Sequence, residues 1–296
     1  MRNDKLKNYL HLHFIVFIWG FTAVLGALIS IDAIPLVWYR MLLATGFIAL
    51  FIGFKKINLK YSKRTLAGFL LAGFIIAMHW LAFFGAIKIS NVSITLAIMS
   101  TGAFFTSLLE PLFYKRKVIG YEVLFGLVVV AGLYIIFNVE TEYVSGILLA
   151  LCASFLGALF SVINGKFAVK YNATAISFYE LGFGMLCITA YLAFNGSFTY
   201  QFFQVSANDW IYLVILASVC TAYAFIASVH VMKWISPYTV MLTINMEPVY
   251  GIILALFILG DSENMSPQFY YGAALIIITV VANGIIKTRM QRKRSI

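Results

Sequence analysis

Ten apolar segments occupy most of this chain, at residues 10–30, 34–54, 66–87, 92–113, 118–137, 146–167, 174–194, 210–232, 238–259 and 269–286. Each holds about 20 residues, enough for a helix to cross a hydrocarbon layer of roughly 30 Å at about 1.5 Å per residue. Backbone amides find no water in lipid, so segments of this kind close their hydrogen bonds internally as helices. The joints between them are too short for a soluble domain, and only 11% of the 296 residues are charged. The fold class expected is an all-α membrane protein with ten transmembrane helices.

The basic residues set the orientation. Nineteen of the 21 lysines and arginines fall at the N-terminus, in every second loop, or in the C-terminal tail. The intervening loops hold only Lys88 and carry acids instead: Asp32, Glu140, Glu142, Asp209, Asp261 and Glu263. By the positive-inside rule both termini are cytoplasmic. In a soluble chain a net charge of +10 would suggest nucleic acid. Here the charge flanks membrane segments, so the partner expected is lipid and not nucleic acid. Arg2, Lys5 and Lys7 resemble the start of a signal peptide, but the apolar run behind them is long and lacks a small-residue cleavage site. It reads as the first membrane helix. Cys152, Cys187 and Cys220 lie inside apolar segments without disulfide or metal spacing and read as packing residues. No cofactor motif is visible.

Internal similarity divides the chain into halves, residues 1–140 and 141–296. At a shift of 146, Ser90 falls on Ser236, Leu96 on Leu242, Ile98 on Ile244, Leu108 on Leu254 and Gly126 on Gly272. At a shift of 140, Trp38-Tyr39-Arg40 falls on Phe178-Tyr179-Glu180. Five spans per half is odd, so the second half enters the bilayer upside down. Inverted repeats are a transporter design, with the binding site near the midplane between the repeats.

The chain resembles the drug/metabolite transporter superfamily, and within it the EamA-type ten-helix carriers. The likeness rests on Trp19-Gly20, on Pro35 followed by Arg40, on Glu247-Pro248, on Gly260-Asp261 and on Gly272-Ala273-Ala274-Leu275-Ile276. Asp261 stands where the family often has Glu. The first half has Tyr114-Lys115 where the second has Gly260-Asp261, and Thr101-Gly102 where the second has Glu247-Pro248. The resemblance covers nearly the whole chain and implies fold and transport class, not substrate.

Ionisable groups inside a bilayer cost several kcal/mol, about 2.5–3.5 on insertion scales, so each needs a reason. Glu247 lies ten residues beyond Pro237, roughly 15 Å deep. With Thr243 and Tyr250 at helical spacing, and Asn245 beside it, it reads as a substrate or proton site; a protonated Glu bonded between helices is the structural alternative. Arg40, about 8 Å below the outer surface, suits a carboxylate or phosphate, or else a structural ion pair. Glu180 occupies the equivalent position in the second half. His79-Trp80 lies mid-membrane; His79 would relay a proton, bind substrate, or bond two helices. Trp19, Trp80, Tyr39 and Tyr179 are candidates for an aromatic wall, and Trp38 for an interfacial anchor. Ser100 and Thr101 match the Glu247 region of the other half.

The function expected is a secondary transporter in a bacterial inner membrane that exports a small metabolite such as an amino acid by alternating access. It is not expected to be an enzyme. Glu247 and His79 are the groups that would carry a coupled proton, and a monomer suffices. The alternatives are a proton-independent facilitator of drugs or other metabolites on the same fold, and a membrane-embedded enzyme. The enzyme reading lacks an HExxH motif, an acidic cluster or a nucleophile motif in the sequence.

Overall fold

The computed structural model of the chain describes residues 2–115, 120–235, 237–244 and 246–294, and among them there is no strand. The first helices are α1 (Arg2–Leu28), α2 (Ala33–Lys55) and α3 (Lys63–Ile89). Two short helices follow, α4 (Val92–Met99) and α5 (Gly102–Tyr114), then α6 (Gly120–Val139), α7 (Val144–Ala168) and α8 (Ala173–Phe194). Helices α9 (Ala207–Ala217) and α10 (Ala224–Val231) are joined by a π-helical turn, Ser218–Tyr223. Helices α11 (Pro237–Ile244), α12 (Glu247–Leu259) and α13 (Pro267–Arg294) complete the chain.

Side-chain caps mark several helix starts. Ser62 accepts from the Thr65 amide, Asn91 from Ile94, Asn172 from Thr174 and Ala175, and Ser206 from Asp209. Each satisfies an amide that the first turn leaves without an intrahelical partner.

Among the described residues, seven stretches are long and apolar enough to cross a membrane: Lys7–Leu28, Ala33–Lys55, Lys63–Ile89, Val92–Tyr114, Thr141–Ala168, Ala173–Phe194 and Ala207–Val231. Leu124–Asn138 and Pro267–Asn283 are shorter apolar helices. The apolar segment at 238–259 is divided between α11 and α12. Large apolar side chains point outward, with Phe194 92%, Phe257 85% and Phe54 79% exposed. In water such faces would drive association; against lipid they cost nothing.

Three expected spans are not continuous α-helix. Between α4 and α5, Ser100 and Thr101 form a turn, and side chains take up the loosened carbonyls. Thr101 Oγ1 donates to the Ile98 carbonyl at 2.8 Å, and Ser154 Oγ of α7 reaches the Met99 carbonyl at 3.2 Å. Between α11 and α12 the break precedes Pro248, whose ring lacks an amide hydrogen and opposes the carbonyl four residues back, that of Ile244. The third irregularity is the π turn. Small residues let helices meet closely: a Cβ added to Gly132 of α6 would lie 3.0 Å from the Gly272 carbonyl of α13. The reverse distance is also 3.0 Å.

Candidate functional site

Arg40 is 2% exposed on α2 and is held on two sides. Its Nε donates to Thr221 Oγ1 at 2.6 Å, and the Thr221 hydroxyl donates in turn to the Leu216 carbonyl at 2.7 Å. That carbonyl lies five residues back, at the π turn, where widening of the helix frees it from its usual amide. Thr221 thus satisfies a loosened backbone group and orients the guanidinium with one hydroxyl. On its other side the guanidinium carbon lies 3.8 Å from the Trp80 ring centroid and 5.3 Å from that of Phe84. Stacking on an indole face suits a planar cation withheld from water. The two terminal nitrogens have no protein acceptor among the described residues.

Beside Trp80 stands His79. Its Nδ1 is 2.7 Å from the Ala153 carbonyl. A carbonyl only accepts, so Nδ1 carries the hydrogen, and the neutral ring presents Nε2 as an acceptor. The ring lies across Gly157 of α7, where an added Cβ would be 3.1 Å from Cε1.

Glu247 is the first residue of α12 and 8% exposed. The helix dipole favours its negative charge there. Close contact of Gly20 with Gly251, one turn further on, brings α12 against α1: a Cβ on Gly20 would lie 3.0 Å from the Gly251 amide nitrogen.

These groups surround one cavity of about 100 Å³. A single water needs only about 10–15 Å³ measured this way, so there is room for several waters or part of a small ligand. Arg40, His79, Trp80, Trp19 and Glu247 all line it. The remaining lining includes Thr22, Ile76, Phe83, Met99 and Phe160, and also Ser161, Phe225, Ser228, Met232, Met241 and Ile244. A guanidinium and a carboxyl group therefore share a chamber whose wall is rich in aromatic and methionine side chains.

The cavity spans the middle of the bundle, from Arg40 and Phe83 to Met232 and Met241. His11 Nε2 lies 2.8 Å from Tyr223 Oη, and Ser30 is bonded to Asp209, so α1 runs antiparallel to α9 and α10. Phe225, Ser228 and Met232 descend α10 toward the face on which α1 begins. The opposite face is tied by hydrogen bonds between elements. Asp209 accepts from the Ser30 amide at 2.7 Å and the Ser30 hydroxyl at 2.6 Å. Glu263 accepts from the Val92 and Ser93 amides at 3.1 and 2.8 Å. Lys88 Nζ donates to the Ile29 carbonyl, and Ser266 Oγ to Glu140 at 2.7 Å.

Other residues singled out in the sequence do not line this cavity. Tyr39 donates to the Phe202 carbonyl at 3.3 Å and packs with Trp38, Phe202 and Trp210. Trp38 donates to Thr189 at 2.8 Å. Tyr179 donates to the Leu59 carbonyl at 2.7 Å. Tyr250 packs its ring on Phe17. Ser100 and Thr101 are buried at the α4–α5 turn, and Thr243 is buried on α11. Glu180 is fully buried between α7 and α8, with Asn164 Nδ2 3.0 Å from each carboxyl oxygen. Asn245 lies outside the described residues. Among cavity residues the sequence reading passed over, Ser161 had a signal: it continues the small-residue spacing Ala153–Gly157 by four.

The EamA-like transporter family model matches residues 7–138 and again 144–284. An uncharacterized transporter of Bacillus subtilis (strain 168) is 22% identical over 258 residues, covering 84% of this chain and 79% of the relative. One of Clostridium kluyveri is 25% identical over 237 residues, covering 76% and 74%. A crystal structure of another protein superposes with a TM-score of 0.66 at 15% identity, over 94% of this chain and 97% of that one, a likeness of fold. With two family matches spanning nearly its whole length and seven helices able to cross a bilayer, this integral membrane protein belongs to the EamA-like transporter family.

Proposed function

We propose that the chain is a secondary transporter that moves a small zwitterionic metabolite, such as an amino acid, out of a bacterial cell by alternating access. The observation that carries this reading is the pairing of Arg40 and Glu247 in one cavity. The free terminal nitrogens of Arg40 form the fork that a carboxylate accepts in bidentate fashion. Glu247 takes the substrate ammonium or a coupled proton. His79 Nε2 is a second acceptor, and the aromatic and methionine walls accept an apolar body.

Ten spans in two inverted repeats are supported by the helix breaks. Helices α5 and α12 each have 13 residues, and each follows a shorter helix, α4 or α11. A shift of 145, one residue from the sequence match, carries α5 onto α12. The packing follows the same two-fold logic. Helix α3 lies on α7 and α8, its counterpart α9–α10 lies on α1 and α2, and α6 pairs with α13. With the basic loops on the cytoplasmic side, the cavity faces the cytoplasm and the tied face is outer. That is the arrangement in which an exporter would load.

The test is transport in proteoliposomes made with purified protein. Glu247→Gln should abolish substrate-driven proton movement, and Arg40→Ala should remove uptake of carboxylate-bearing substrates. Proton movement and flux both unchanged in Glu247→Gln would end the coupled reading. Retained flux without proton movement in the wild type would favour a facilitator.

A further inference from the structure

We propose that Ser161, with His79, forms a polar subsite that selects a hydroxyl or carboxamide on the substrate's side chain. The proposal rests on the amino-acid reading above. Ser161 is 3% exposed on α7 and lines the cavity, and its Oγ has no hydrogen-bond partner among the described residues. Thr45 Oγ1 of α2 is also without a partner among the described residues but does not line the cavity, and several other buried helical hydroxyls are bonded to backbone carbonyls. Ser177 donates back to the Ala173 carbonyl at 2.9 Å, Thr106 to Gly102 at 2.9 Å and Ser228 to Phe225 at 2.8 Å. Such back-bonding is the default for a serine inside a helix. Ser161 forgoes it, leaving its whole donor and acceptor capacity at the cavity wall. Buried polar atoms without partners are uncommon in folded proteins, and a group that a ligand completes is one standing reason.

The neighbour sharpens the chemistry. His79 lies across Gly157, one helical turn from Ser161 on the same face of α7. Its Nδ1 hydrogen is committed to Ala153, so its Nε2 accepts. An acceptor beside a hydroxyl free to donate is complementary to a group that itself donates and accepts. A hydroxyl or a primary amide meets that requirement; a methyl group leaves both sites unpaired. Arg40 and Glu247 hold the carboxylate and ammonium common to all amino acids, so discrimination between side chains falls to this wall.

The test uses two isosteric pairs, L-threonine with L-valine and L-homoserine with L-norvaline, titrated against purified full-length protein with thermal stabilisation as readout. The wild type should bind the hydroxylated member of each pair roughly five- to tenfold more tightly, the factor of a single neutral hydrogen bond. Ser161→Ala should erase that preference without weakening valine or norvaline, and Ser161→Thr should restore it. Equal affinity for both members in the wild type overturns the subsite and leaves the amino-acid reading standing. So does an equal loss for both members in Ser161→Ala. Absence of binding by all four overturns both.

Discussion

Thr221 does two jobs with one oxygen. It bonds the Leu216 carbonyl at the π turn and fixes the buried guanidinium of Arg40. Thr221→Val keeps the shape and removes both bonds, so the Leu216 carbonyl and Arg40 Nε are left unsatisfied together. The expected cost is about 2–3 kcal/mol, read as a lower Tm. Binding of carboxylate ligands should weaken as the guanidinium loses its anchor. Thr221→Ser, which retains the hydroxyl, should lose much less of both. At this scale the sequence was legible where charge made it so. Arg40 and Glu247 stand out because the topology rule uses nearly every other basic residue and because carboxyls are costly in lipid. Thr221 and Ser161 carry no such mark. A hydroxyl in an apolar helix looks the same whether it bonds its own backbone, a neighbour or a ligand.

Elements reveal what the apolar pattern hides. Hydropathy places residues 92–113, 210–232 and 238–259 in single spans, and each is broken or widened in the structure. An apolar run reports partition into lipid, whereas the breaks depend on the hydroxyls of Thr101 and Thr221 and on the amide hydrogen that Pro248 lacks. Glycine contacts were more legible, since closely packed membrane helices need small residues. They differ sharply in what a methyl would meet. At Gly73 of α3 an added Cβ runs into the Glu180 carbonyl and lies 3.1 Å from the Gly184 amide nitrogen, both backbone atoms of α8. At Gly46 of α2 nothing lies within 4 Å. Gly73→Ala should therefore push α3 from α8 and destabilise by about 1–3 kcal/mol. Gly46→Ala should be neutral or stabilise by up to about 1 kcal/mol through helix propensity. Thermal denaturation of the two variants side by side is the measurement, and equal Tm changes would contradict this account of the α3–α8 contact.

The two halves proposed for this molecule differ in where their acids lie. Glu263 caps the start of α4 on the tied face, and a shift of 146 places Lys117 opposite it in the first half. A lysine side chain cannot accept from helix amides, so the sequence offers no equivalent of that carboxylate at the matching position. Asp209 adds a second carboxylate clamp on the tied face, on Ser30. This asymmetry was half visible in the sequence, as acids confined to alternate loops, but the Ser30, Val92 and Ser93 groups that Asp209 and Glu263 hold lie 170 to 179 positions away and leave no local pattern. It has a directional consequence. In a background with Cys152, Cys187 and Cys220 replaced, Ser228→Cys sits in the cavity near its unsealed end. A membrane-impermeant thiol reagent should label it readily in inside-out vesicles and slowly in right-side-out ones. Adding Glu263→Gln, which weakens the amide-accepting carboxylate, should raise labelling in right-side-out vesicles. Doing the same with Asp209→Asn should act in the same direction. Equal labelling from both sides in the parent would contradict a cavity closed at the outer face, and labelling unaffected by either substitution would show that the two carboxylates do not hold it shut.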